Sequence, residues 1–315
     1  MDLRAAALLI ALAALAGPAP ALAKPAHAVP ACDRACLDGM ADRYIAAMEA
    51  RAPDGLPWAR IVRYSENNVS MAIGDGVWAT ITDHSKTALR AADPATGQVV
   101  WMGEIADHGQ PAFMALRLKV EGGRIAEAEA VLRRKGGQPQ YGDPETYAHD
   151  PAFAAKASAP LASKALTAAV DGYFDAVQGK PGAAARFAPG CERQDNGVAT
   201  TSGATTSGAT ADGGVPGCAA QIKAGVFKPI ERVRARRYPV VDAARGVVIA
   251  AGLYDLPSVA GKAEPGNGLA WAADYPYSIA FISAFKIDKG GVWRVETISN
   301  AEPYLMPSPW MAAAR

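Results

Sequence analysis

The chain has 315 residues, half of them hydrophobic, and a formal charge of +1 at neutral pH. That length allows two domains of ordinary size, each with enough apolar residues to bury a core. A balance so close to neutrality excludes nucleic acid or an acidic membrane surface as the main partner.

The first residues read as a signal peptide, residues 1–23. Arg4 supplies a basic start, Ala5 to Ala16 is apolar, and Pro18 and Pro20 stop any helix. Ala21-Leu22-Ala23 then offers the small residues of a cleavage site. A membrane anchor needs about 20 apolar residues, and this run is shorter. No later segment is long and apolar enough to span a bilayer. The reading is a secreted or periplasmic protein that begins near Lys24.

Four cysteines in such a compartment lean towards disulfides. Cys191 and Cys218 bracket a Thr/Ser/Gly/Ala segment with nothing to bury, and Cys32 and Cys36 stand four apart. The expected pairs are Cys191–Cys218 and Cys32–Cys36. A CxxxC metal or redox site is the alternative for the second pair. Closing the longer loop would stabilise the fold by roughly 3–4 kcal/mol on the chain-entropy account.

Leu37, Met40, Ala41, Tyr44, Ile45 and Met48 recur at helical spacing, as do Leu166, Ala169, Val170, Tyr173, Phe174 and Val177. Strand patterns follow each helix. They cover 99–105, 112–120 and 124–132, then 233–241, 247–254, 278–287 and 292–298. Glycine turns at 120–123 and 287–291 predict hairpins.

The two series repeat one another. Leu37, Asp42, Tyr44, Asn67 and Val69 recur as Leu166, Asp171, Tyr173, Asn196 and Val198, at an offset of 129. Asp93, Gly97, Val99 and Gly103 recur as Asp242, Gly246, Val248 and Gly252, at 149. Lys119-Val120-Glu121 answers Lys286-Ile287-Asp288 at 167. The expectation is a tandem duplication: a first copy over 32–135, a linker over 136–159 and a second copy over 160–305. Loop insertions in the second copy fall near 199–217 and 258–275. Helices first and strands after is the α+β pattern.

Helix, Glu/Asp-Asn turn, Asp-turn-Gly hairpin and final Lys-(Val/Ile)-(Glu/Asp) hairpin resemble the nuclear-transport-factor-2-like superfamily, with its polyketide-cyclase-like (SnoaL-like) members. Cys32-Asp33-Arg34-Ala35-Cys36-Leu37, Tyr64-Ser65-Glu66-Asn67 and Gly74-Asp75-Gly76-Val77-Trp78 resemble exported proteins grouped as domain of unknown function 8021. The superfamily resemblance implies two tandem cone-shaped domains, each with helices packed on a curved, mostly antiparallel sheet around a pocket. Its members include isomerases, dehydratases, hydrolases, cyclases and non-catalytic binders, so fold does not give function.

No GxxxxGK[ST], GxSxG, HExxH or dinucleotide glycine motif is present, so no cofactor and no metal is expected. His84 and His108 fall in the first copy, where the second has Val233 and Pro257, and histidine is the side chain best suited to proton transfer near neutral pH. His27 lies near the exported N-terminus and His149 in the linker. If 78–84 is a strand, Trp78, Thr80, Thr82 and His84 share one face and form the wall of a pocket for an aromatic ligand. A solvated face is the plainer reading. Tyr44 and Tyr173 hold one phase of the two helices. The resemblance implies a hydrogen-bond donor to an oxyanion there, and a packing tyrosine is the alternative. Arg232, Arg234, Arg236 and Tyr238 alternate along a strand and form either an anion site or a solvated or interdomain face. Glu66-Asn67 and Asp195-Asn196 read as turn devices, and Asn68-Val69-Ser70 is a glycosylation sequon.

The candidate catalytic residues are therefore His84, Tyr44 and His108. The candidate ligand-binding residues are Trp78, Thr80, Thr82, Tyr173, Arg236 and Tyr238. The function expected is an exported binder of a small apolar or aromatic molecule, with cofactor-free acid–base catalysis of the lyase, isomerase or cyclase kind. A non-catalytic ligand- or protein-binding module is the alternative. Composition does not set the oligomeric state.

Overall fold

The structure, a computed structural model, describes residues 32–135, 142–183, 185–201, 217–257 and 275–311. The signal-peptide reading lies outside the described residues, as do 202–216 and 258–274, most of the two expected insertions. The first half runs α1 (Arg34–Glu49), β1 (Trp58–Glu66), β2 (Val69–Ser70), α2 (Val77–Thr80), β3 (Ile81–His84), β4 (Leu89–Asp93), β5 (Gln98–Asp107), β6 (Gln110–Glu121) and β7 (Arg124–Arg134). The second runs α3 (Ser163–Val177), β8 (Phe187–Asp195), β9 (Val198–Ala199), α4 (Cys218–Ala224), β10 (Arg232–Asp242), β11 (Val247–Leu256), β12 (Tyr277–Asp288) and β13 (Gly291–Pro303). This is an α+β chain with one seven-stranded and one six-stranded sheet.

The strand order is β2-β1-β7-β6-β5-β3 in the first sheet, with β4 also on β5, and β9-β8-β13-β12-β11-β10 in the second. Pairing is antiparallel except that β1 joins β7, and β8 joins β13, in parallel. Trp58 faces Ile125 as Phe187 faces Val292, and Val99 faces Leu118 as Val248 faces Phe285. His84 faces Ile105 as Val233 faces Tyr254. The sequence offsets of 129, 149 and 167 thus reappear as backbone register. One local difference is that β10 runs on where β3 and β4 are separate. Ala235, at φ 53°, and two register shifts mark the join.

α1 starts where the Asp33 carboxylate accepts the Cys36 N–H, a side-chain N-cap. Its apolar stripe packs on one face of the first sheet with Trp78, Trp101 and Leu116, while α3 covers the second sheet with Phe281, Phe285 and Val295. The opposite sheet faces meet each other. Val100, Met102, Ala115 and Val131 of the first pack with Ile249, Ala251, Ile282 and Ile298 of the second. The order of layers is helix, sheet, sheet, helix. All ten residues of β11 are buried, as expected of a strand covered on both sides. Cys32–Cys36 and Cys191–Cys218 are both bonded, which removes the thiols that the metal or redox alternative required. These bonds fit an oxidising compartment, and no described helix is long and apolar enough to cross a membrane.

Each half also sends the chain beyond its last strand across the other half. After β7, the Tyr147 hydroxyl donates to Glu296 on β13 at 2.8 Å and the Asp150 N–H to the same carboxylate at 2.7 Å. After β13, the Trp310 indole donates to the Ser65 hydroxyl on β1 at 2.9 Å, under the guanidinium groups of Arg63 and Arg117. Asn68, the sequon residue, holds the Pro307 carbonyl at 2.9 Å. Trp310 is 9% exposed. Trp310→Ala should therefore cost roughly 3 kcal/mol, as loss of a buried tryptophan does. Urea denaturation checks this, and a change below about 0.5 kcal/mol, typical of surface sites, would show that the tail does not hold the halves together.

Candidate functional site

α1 ends at Glu49, just before Arg51 at φ 51°, and β3 ends at His84. The two ends meet: His84 Nδ1 lies 2.5 Å from Glu49 Oε1. The imidazole is half-buried, edge-on to Trp101 with ring centroids 6.3 Å apart. Asp83 Oδ1 accepts the His84 N–H at 2.8 Å, and Lys86 Nζ stands 3.4 Å from Nε2. His84, though not Glu49, lines an open cleft of about 320 Å³, whose walls also include Asp83, Ser85, Glu104, Ile105, Pro111 and Tyr147. Glu49, Asp83 and His84 each offer one donor atom, all within 4.8 Å of one another, a set that could hold a metal ion. Chemically, a carboxylate-held imidazole beside an open cleft can accept, donate or orient a proton.

The positions at the repeat offsets of 129 and 149 lack all three groups. Glu49 corresponds to Gln178, Asp83 to Arg232 and His84 to Val233. The second half thus folds without an imidazole or a carboxylate at those positions.

The other predicted residues go elsewhere. Trp78 is in α2 and not in a strand, because the Glu66 carboxylate accepts the Val77 N–H at 2.6 Å and turns the chain at Gly76, φ 64°. Its indole donates to the Tyr44 hydroxyl at 2.9 Å, and both rings are fully buried. Burial pushes the Tyr44 phenol well above its ordinary range. The Thr80 hydroxyl faces the Val77 carbonyl at 3.5 Å, and Thr82 donates to the Ala106 carbonyl at 3.2 Å. His108 is exposed in the β5–β6 turn at φ 50°. Tyr173 is buried, its phenol pushed up to about 12 by burial, with nearby Arg193 opposing.

The arginine row is divided by the bulge at Ala235. Arg232 and Arg234 both bind Asp255. Beyond the bulge, Arg236 binds Asp175 at 2.9 Å and Tyr238 donates to Asp171, both on α3. Arg236 and Tyr238 therefore staple a strand to a helix. Arg237 crosses to Glu129 of the first sheet at 2.6 Å. Asn67 and Asn196 sit at φ 47° and 46° and clamp β7 and β13 through their amides, as turn devices would.

Glu49 carries no sequence signal beyond its place at the end of a helix, 35 residues before His84. Glu302 on β13 was also not singled out. It is 8% exposed, and burial raises its carboxyl to about 7, with the Asn300 amide opposing.

The chain is thus a two-sheet α+β protein with a His–carboxylate cluster on one rim. A family profile described as "Domain of unknown function (DUF8021)" matches residues 161–299, less than half of the chain and all within the second half. No curated protein matches. A solved structure described as "Putative Isomerase from Bacillus subtilis" is similar at 13% identity over 44% of this chain and 90% of its own, with a TM-score of 0.30. So low a score carries no argument.

Glu302 makes stability depend on pH with a definite sign. Its folded value, about 7, exceeds the ordinary 4.5. Below the lower value both states are neutral and nothing is lost. Between the two the unfolded chain ionises first, so stability falls as pH rises, and above the higher value the penalty is complete. Glu302→Gln should raise the melting temperature at pH 8 and leave it unchanged at pH 4. Equal effects at both pH values would contradict this.

Proposed function

We propose that the first half carries the working site, the cleft beside His84 and Glu49, and that the second half is its scaffold. The observation that carries this reading is the 2.5 Å pair at an open cleft, in a place where the second half has Gln178 and Val233. Acid–base chemistry of the lyase, isomerase or cyclase kind is the activity such a pair supports. The ligand carries polar groups as well as an apolar part, since Trp78, the aromatic wall expected from sequence, does not line this cleft. Trp78 and Tyr44 fill the core, while the cleft sets polar groups of Asp83, Ser85, Thr87 and Glu104 beside apolar Ile105, Ala106, Pro111 and Pro144. A small molecule bearing hydroxyl or amino groups suits such walls.

The filled cores favour one other reading, a non-catalytic binding module that uses the same cleft without proton transfer. The shared register supports reading the halves as copies of one nuclear-transport-factor-2-like domain, over 32–135 and 160–305, joined by 136–159. The two disulfides support export to a secreted or periplasmic setting, with residues 1–23 as the leader.

Ligand-observed NMR with a library of small polar compounds tests the site. Hits on the wild type should disappear with His84→Ala, and turnover of any hit that is a substrate should fall by roughly 10²–10⁴-fold. Hits that bind the variant unchanged would remove the cleft from the function.

A further inference from the structure

We propose that Glu49, Asp83 and His84 bind one divalent transition cation of the zinc type. Consecutive strand residues ordinarily point to opposite faces, yet Asp83 and His84 each bring a donor atom within 4.8 Å of the Glu49 carboxylate. The β3–β5 register slips between Ile81 and Asp83, and such an irregularity re-aims a side chain. The result is one imidazole nitrogen and two carboxylate oxygens within 4.8 Å of one another. Zinc takes nitrogen and carboxylate ligands at about 2.0–2.2 Å, so the three donors need to move by only about 1 Å to surround it.

The charges agree with that occupant. Two carboxylates meet a double positive charge, and Glu49 stands on the last turn of α1, where unpaired carbonyls favour a cation. Three protein ligands leave a coordination position open to the cleft, as in catalytic rather than structural sites. Lys86 Nζ, 3.4 Å from His84 Nε2, opposes the cation, but it is on an exposed and flexible side chain. At the twin positions, Gln178, Arg232 and Val233 offer no such set. This inference rests on the rim-cleft reading and deepens it, since a cation there would polarise an oxygen of the molecule bound in the cleft.

The test is calorimetric titration of the whole mature protein with zinc chloride after dialysis against EDTA. One equivalent should bind. Even outer-shell changes weaken metal sites by roughly 10–100-fold, so Glu49→Gln and His84→Ala should each cost at least that much. His108→Ala, at an exposed histidine, should cost nothing. Cobalt(II) should give a visible absorption band that Glu49→Gln removes. Circular dichroism verifies that the variants fold, and if His84→Ala does not, the isosteric Glu49→Gln decides. Absence of saturable uptake by the wild type, or uptake that survives when Glu49→Gln and His84→Ala are combined, would overturn the site. Repeating the NMR screen in EDTA separates the two ideas. Ligand hits without zinc uptake would sink the cation alone, and zinc uptake without hits would sink the small-molecule reading alone.

Discussion

The faces of two sheets have to be kept from water twice, once by a helix and once by the other sheet. Everything in this chain follows from the second of those contacts. The positions that face across the seam are the same in both halves: Val100 and Ile249, Met102 and Ala251, Ala115 and Ile282, Val131 and Ile298. All eight side chains belong to one buried apolar cluster that joins the two sheets. Such a seam tolerates polar groups only when they are satisfied. Glu129 shows how: burial alone would raise its carboxyl, but Arg237 from across the seam and Arg117 on its own sheet hold it below the ordinary range.

That arrangement also explains where a site can and cannot be. The space between helix and sheet, which the family resemblance implies as a pocket, is filled by Tyr44, Trp58 and Trp78 on one side and by Tyr173, Phe174 and Phe285 on the other. The space between the sheets is a second core. Open clefts lie instead at the surface, and at the rim where α1 and β3 end together the two halves differ in chemistry.

Helical periodicity made α1 and α3 legible in the sequence, and glycine turns did the same for the hairpins. The register of the sheets was legible through the repeat offsets. The face-to-face seam left a signal in the unbroken apolar run of β11, where alternation would mark a strand wet on one side. The parallel pairing of β1 with β7 left none, because it joins strands separated by most of the first half. A four-residue helix at Val77 is beyond any periodicity argument, since a tertiary contact with Glu66 positions it. His84 could be singled out by its absent twin. Its partner Glu49 could not, because only the fold brings a helix end to a strand end.

The crossing tails carry a consequence for what one half could be alone. A single half would expose an apolar sheet face and, on β1 or β8, the polar groups that the other half's tail now covers. A second identical copy, laid on that face with the tails exchanged, would cover both. The two halves of the one chain exchange tails as the subunits of an arm-swapped dimer would. Halves of a single chain are not bound by symmetry. A residue such as His84 can then appear on one rim without having to be accommodated on the other.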